Sequence, residues 1–186
     1  MSTLIINGSP RRDGDTAALI DAFTSALAGG FHVVDCYDAN IRPCVDCRAC
    51  QAAFSGRVQD DMQTLYGRIL EASGIVIASP IFFSELTGPL LSVLSRIQPG
   101  YYARRRGEVG FHSKPRRGGL LLAGGGCGEP GPAIDMGRRL LRGMGCLEIA
   151  PPVMCLNTDR LPARLDSGAL DAARALAGFF NAARPE

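Results

Sequence analysis

Residues 44 to 50 read CVDCRAC, three cysteines with two residues between neighbours. That spacing is one that iron–sulfur proteins use, and a cluster of four irons wants four thiolates. No further cysteine lies between Cys50 and Cys127. A second stretch, NGSPRRDGDTAALI (7 to 20), combines glycine, hydroxyls and guanidinium groups. Leaving a strand and entering a helix, such a loop cradles phosphate. Backbone N–H groups and the helix dipole face the anion, Ser9 and Thr16 add hydroxyl donors, and Arg11 adds a charge-assisted bond. It has neither the G-x-G-x-x-G spacing nor the Gly-Lys-Ser/Thr ending of the best-known nucleotide loops, and a plain polar turn capped by Asp15 or Thr16 is the competing reading. In ASPIFFSELTGPLLSVLSR (78 to 96) a proline turn carries Phe82 and Phe83 beside small polar residues, an edge for a flat heterocycle if the two rings are not simply core. AGGGCGEPG (123 to 131) offers backbone with no side chains to keep a ligand away. CYDANIR (36 to 42) has the Cys-x5-Arg spacing of thiolate phosphatases, but Asp38 would repel a phosphoryl group and the loop lacks glycine.

The elements that position these residues alternate. TLII (3 to 6), FHVVDC (31 to 36), GIVIAS (74 to 79), GLLLA (119 to 123) and LEIAPPV (147 to 153) are continuous apolar runs, as strands buried on both faces are. Helical spacing covers 16 to 28, 60 to 72, 88 to 97, 132 to 144 and 166 to 183, with Gly29-Gly30 as the stop of the first. Five strand–helix repeats imply a parallel sheet covered on both sides. Ligands then bind at the carboxyl ends of the strands, so the loops after strands one, three and four are where chemistry is expected. Longer loops are expected over 37 to 59, with the cysteines, and over 98 to 117, with ARRRGE and KPRRG. No internal repeat or linker interrupts the 186 residues, which are read as a single domain, 1–186.

Composition narrows the function. Charged residues are 20% and the net charge is +2, too small for a nucleic-acid footprint or a membrane surface, so the expected partner is a small molecule. No apolar run has the length of a signal sequence or a membrane span, and the odd count of seven cysteines reads as reduced thiols, so a cytoplasmic location is expected.

GSPRRDGDT resembles the Gly-Ser-Pro-Arg…Gly-Asn-Thr signature of the flavodoxin-like NAD(P)H-dependent FMN reductases, and SPIFFSELTGPLLSVLSR resembles their second conserved segment. IRPCVDCRAC followed by DDMQTLYGRILEASGIVIASP is similar to the iron–sulfur flavoprotein branch. The resemblance implies an α/β three-layer sandwich with a five-stranded parallel sheet in the order 2-1-3-4-5. It implies that Ser9, Arg11, Asp15 and Thr16 surround the FMN phosphate, that Pro80, Ile81, Phe82, Phe83 and Ser84 line the isoalloxazine, and that Gly124, Gly125 and Gly126 close its other edge. Asp15 stands where the family has asparagine, so its carboxylate must turn toward backbone N–H groups or weaken FMN binding. Phe82 replaces a tyrosine, and Ser95 an aspartate. Val58 stands where the iron–sulfur branch has its fourth cysteine. An oxygen ligand from Ser55 and a three-iron cluster on three thiolates are both uncommon solutions, so an iron–sulfur cluster is not expected, and Cys44, Cys47 and Cys50 are assigned a structural role ahead of a redox dithiol over the flavin or a zinc site.

By that resemblance the chain is an oxidoreductase passing electrons from NAD(P)H through FMN to a quinone, nitro or azo compound, metal ion or free flavin. An electron carrier serving a redox partner is the alternative. Hydride chemistry belongs to the cofactor, so no acid–base dyad is required. Arg104 to Arg106 and Arg116-Arg117 are either a solvated basic loop or a seat for the 2′-phosphate of NADPH. Tyr101, Tyr102 and Phe111 are candidate contacts in a homodimer or homotetramer.

Overall fold

The computed structural model describes residues 2–54, 57–108, 110–126 and 128–183. Ser55 and Cys127, both singled out above, lie outside them. A wholly parallel sheet runs through the centre, built from β1 (Ser2–Asn7), β2 (Gly30–Asp35), β3 (Gly74–Pro80), β4 (Arg116–Gly124), β5 (Cys146–Ile149) and β6 (Val153–Leu156). The order is β2-β1-β3-β4-β5, with β6 also pairing with β4. This is the flavodoxin-like order, with one refinement. The fifth position is shared by two short strands, because Ala150, Pro151 and Pro152 interrupt the run and proline has no N–H to give to a ladder.

Among the described residues six α-helices cover the faces: α1 (Asp15–Ser25), α2 (Met62–Glu71), α3 (Gly88–Leu94), α4 (Gln98–Arg106), α5 (Gly131–Gly143) and α6 (Ser167–Asn181). Alternating strand residues divide the core. Leu4, Ile6, Ile75, Ile77, Leu120 and Leu122 face Leu65 and Ile69 of α2, Leu90 of α3 and Leu141 of α5. Ile5, Val76, Ala78 and Leu121 face Leu19 and Phe23 of α1 and Ala173 and Leu176 of α6. β2 departs from the expectation of burial on both faces. It is an edge strand, and Phe31 and Val33 are exposed.

The segment 98 to 117 is not a loop. α4 occupies its first half despite three consecutive arginines, with Pro99 in its first turn and Gly107 in the left-handed conformation just past its end. That proline-in, glycine-out pairing is a helix signal that a hydrophobic pattern alone overlooks. Phe111, expected at a subunit contact, is fully buried in the chain's own core against Phe54 and Tyr66.

Arg116 and Arg117 do not form a solvated basic loop. Both are buried at the amino-terminal end of β4, opposite the edge where ligands bind such sheets. Arg116 donates to Leu70 O (2.9 Å) and Ala72 O (3.0 Å) at the end of α2, and to Phe111 O. Arg117, on the opposite face, donates to the carbonyls of Ala182 and Ala183 just past α6. Neighbours on a strand point to opposite faces, so one dipeptide satisfies helix C-termini in both layers.

Candidate functional site

Four loops meet at the carboxyl edge of the sheet around a cleft of about 410 Å3. The β1–α1 loop forms one end with Ser9, Pro10, Arg11 and Gly14, followed by Asp15 and Thr16 of the first helical turn. This loop is held in shape by its own polar groups. The N–H of Ser9 donates to Asn7 Oδ1 (3.0 Å), whose amide donates to Asp35 (2.6 Å), and the N–H of Arg11 donates to Ser9 Oγ (3.2 Å).

The N-cap of α1 is Gly14, and no side chain caps it. The cap by Asp15 or Thr16 that the competing reading required is therefore not made, and the first N–H groups of α1, with the positive end of its dipole, face the cleft. Asp15 does turn to a backbone donor, but to one on another segment. Its Oδ1 accepts from Ala163 N–H at 2.7 Å, where a 3-10 turn over Ala163–Leu165 begins. Arg164 bonds the Asp13 carbonyl at 3.1 Å, so the segment before α6 is strapped across the start of α1.

Pro80, Ile81 and Phe82 form the apolar side of the cleft, and the Ile81 N–H is pinned to Ala123 O at 2.7 Å. Phe83 and Ser84 stand outside the wall. Phe82 and Glu85 exchange both backbone hydrogen bonds at 2.9 Å, and Phe83 and Ser84 form the tip between them with φ of 51° and 65°. Both tip residues sit in the left-handed region, as a type I′ turn requires and as bulky residues seldom allow. Phe83 is wholly exposed there. Of the three glycines, Gly125 lines the cleft, Gly124 is buried against Ile81 and Leu156, and Gly126 is exposed.

Thr158 and Asp159 complete the cleft, and sequence reasoning did not single them out. A side chain at Gly125 would begin 2.5 Å from Asp159 Oδ1, so the missing Cβ is what lets these two loops meet. The sequence did carry a signal, the polar run Asn157-Thr158-Asp159 after an apolar strand, with Asn157 tolerating a φ of 60°. Reading the fifth strand as ending at Val153 hid it.

The cysteines lie elsewhere. Cys44, Cys47 and Cys50 line a separate pocket of about 30 Å3 with Val58, Tyr66, Arg96 and Pro99. It shares no lining residue with the cleft, so the arrangement gives no support to a dithiol over the flavin. Val58 fills the wall where a fourth ligand would be needed, and among the described residues no three Cys, His, Asp or Glu side chains are placed to hold a metal ion. Among the described residues this donor set offers three thiolates, one fewer than a four-thiolate cluster takes. The loop is docked by an ion pair between Arg96 and Asp60 at 2.8 Å, both side chains at least 95% shielded (5% and 3% exposed). Burial alone would raise the Asp60 carboxyl, but bonds from Arg96, Arg42 N–H and Met62 N–H outweigh it and hold the group below the usual range.

The phosphatase reading fails on its nucleophile. Cys36 is buried, and burial, reinforced by Asp35, pushes its thiol up to about 12. Asp38 is paired with Arg12 at 2.5 Å. A thiol so protonated at neutral pH is no nucleophile.

The family model described as NADPH-dependent FMN reductase matches residues 1–157. An iron–sulfur flavoprotein of Methanocaldococcus jannaschii is 27% identical over 127 residues, which are 67% of this chain and 62% of that protein. The chain thus spans less than two thirds of that relative. Among solved structures, an NAD(P)H:quinone oxidoreductase from Methanothermobacter marburgensis superposes with a TM-score of 0.74 at 15% identity, covering 100% of this chain and 98% of that one. An FMN-dependent NADH-azoreductase from Bacillus anthracis, solved in complex with FMN, gives 0.72 at 16% identity, covering 98% and 100%. At these identities the two structures establish the shared fold.

Proposed function

This chain belongs to the NADPH-dependent FMN reductase family, and on that premise we propose that it is an FMN-dependent oxidoreductase passing electrons from NAD(P)H to a small acceptor of the quinone, nitro, azo, metal-ion or free-flavin kind. The observation that carries the reading is the cleft itself, with uncapped helical N–H groups and Arg11 at one end and an apolar edge of Pro80, Ile81 and Phe82 at the other. A ligand with a phosphate at one end and a flat ring at the other suits both. FMN, when bound, supplies the hydride-accepting and hydride-donating chemistry. Ser9, Arg11, Thr16 and the first turn of α1 would hold the phosphate, and Ile81, Phe82 and the bare backbone at Gly125 would line the ring. Phe82 is half exposed, which leaves one side of the site open to a nicotinamide or an acceptor.

The working unit we propose is one domain, cytoplasmic, acting on a small molecule rather than nucleic acid or a membrane, and assembled as a homodimer or homotetramer. Exposed Phe31, Val33 and Tyr101 are available for that assembly, and no helix among the described residues is long and apolar enough to cross a membrane. The names of the iron–sulfur relatives favour a second reading, an FMN carrier serving a redox protein.

The deciding test is an anaerobic visible spectrum, with iron and acid-labile sulfide assays, followed by NADPH. Two resolved flavin bands, negligible iron and rapid bleaching are expected. Flavin bands that NADPH leaves unchanged for minutes would favour the carrier, and no flavin binding at all would defeat both readings. Asp15→Asn is expected to tighten FMN binding several-fold, about 0.5–1 kcal/mol, because it removes a charge beside the phosphate and keeps an oxygen for Ala163 N–H. A fluorescence titration showing weaker binding would contradict that placement.

A further inference from the structure

Cys44, Cys47 and Cys50 converge on one pocket outside the cofactor cleft, yet their environments differ. Cys47 is exposed and Cys50 half-buried. The backbone on both sides of Cys47 is left-handed, with φ of 48° at Asp46 and 61° at Arg48. Neither is glycine, and each such residue costs about 1 kcal/mol, the kind of local strain that clusters at functional sites. The backbone N–H groups of Ala49 and Arg57 favour the anion at Cys47 and lower its pKa. The Cys50 thiol is shifted the other way, by burial first and then by Cys44 and Cys47. The two ends of the segment are fixed. Cys44 N–H donates to Ser95 Oγ at 3.0 Å, and Arg106 bonds Cys50 O at 3.0 Å and Gln51 O at 2.7 Å. An exposed, anion-supported thiol thus stands beside a protonated, half-buried one.

We propose that Cys47 is an oxidant-sensitive modification site, attacked by hydrogen peroxide or small hydroperoxides and resolved by Cys50 into a reversible disulfide. In the first step the Cys47 thiolate attacks the peroxide, an S–O bond forms, the O–O bond breaks, and the departing oxygen takes a proton to leave as water or an alcohol. In the second the Cys50 sulfur attacks the sulfenic sulfur, the S–S bond forms, the S–O bond breaks, and hydroxide leaves with the Cys50 proton as water. Two electrons from the two cysteines reduce one peroxide. Cys44 takes no part. The chemistry is independent of the cofactor cleft and does not rest on the reductase reading.

The test treats the reduced full-length protein, without oxygen or NADPH, with one equivalent of hydrogen peroxide, then alkylates it and maps its peptides by mass spectrometry. A Cys47–Cys50 disulfide is expected in the parent and in Cys44→Ser. Cys50→Ser should stop at a Cys47 sulfenic acid that dimedone traps. Without peroxide, iodoacetamide should label Cys47 about tenfold faster than Cys44, and unchanged circular dichroism of the serine variants confirms that the fold survives. A disulfide through Cys44 in place of Cys50, equal labelling of Cys44 and Cys47, peroxide loss that leaves Cys47 reduced, or stoichiometric iron and sulfide on the purified protein would each overturn the proposal.

Discussion

Arg96→Met is expected to destabilise the chain by about 3–5 kcal/mol, because it leaves Asp60 buried without its counter-charge. In a chain of this length that is a fall in Tm of about 10 °C. Arg96 does more than pair with Asp60. Its guanidinium also bonds Arg42 O at 2.9 Å and Val58 O at 3.3 Å, and its own carbonyl accepts from Tyr66 at 2.7 Å. One side chain therefore fastens both ends of the cysteine-bearing loop to the layer beneath. Adding Asp60→Leu should recover part of the loss, since removing both charges is far less damaging than stranding one. The Arg42 carbonyl would lose its Arg96 donor and the N–H groups of Arg42 and Met62 their carboxylate acceptor, so recovery should be incomplete.

The pH dependence follows the same group. A carboxyl whose folded pKa is depressed adds stability that is fully present above its unfolded value, near 3.9, and is lost as pH falls through the folded value. Thermal melts of the parent should therefore show an Asp60-dependent loss only below about pH 4, absent from the double variant. A single variant Arg96→Met that melts within 2 °C of the parent, about the shift that 0.5–1 kcal/mol gives, would show that the pair does not dock the loop.

The parallel strands were legible because fully buried ones are continuous apolar runs, as Gly74 to Ser79 and Gly119 to Ala123 are, and five helices were legible from apolar residues at helical spacing, whereas the strand order came only through the family resemblance. The same rule misled at β2, where Phe31 and Val33 are apolar on an exposed edge, so an apolar run reports composition and not which side is covered. α4 was hidden because its stability comes from termini and tertiary bonds rather than from an apolar stripe. Arg106, for example, is committed to Glu108 at 2.7 Å and to the cysteine loop. Burial of Arg116 and Arg117 could not be read locally, since the carbonyls of Leu70, Ala72, Ala182 and Ala183 that they bond lie more than forty residues away in sequence. The end of the cleft built by Ser9 to Thr16 was legible because those residues are contiguous. Thr158 and Asp159 arrive through the strand break at Pro151-Pro152, and nothing near Ser9 announces them.

Gly8→Val should weaken FMN binding about a hundredfold, the equivalent of about 3 kcal/mol, while the sheet stays folded. Gly8 is where the β1–α1 loop rests on α3. A Cβ there would lie 2.8 Å from Thr87 Oγ1 and 2.9 Å from Leu90 Cβ and Cδ2. Its backbone is fixed on both sides as well, with N–H to Ala78 O at 2.8 Å and its carbonyl accepting from Thr87 Oγ1 at 2.8 Å. Leu90 is fully buried and cannot retreat, so the loop must lift. The strain itself is worth about 1–3 kcal/mol. The larger effect is on the ligand, because Ser9 and the N–H groups that follow it move with Gly8, and each charge-assisted hydrogen bond to a phosphate is worth about 1.5–3 kcal/mol. Gly126→Ala is the matched control. Nothing lies within 4 Å of its added methyl, so FMN affinity and Tm should stay close to the parent's. A flavin-fluorescence titration with parallel melts reads both. If Gly8→Val stays folded and binds FMN as tightly as the parent, the β1–α1 loop is not the phosphate seat. If Gly8→Val fails to fold, the milder Gly8→Ala should still show the loss of affinity in a folded protein.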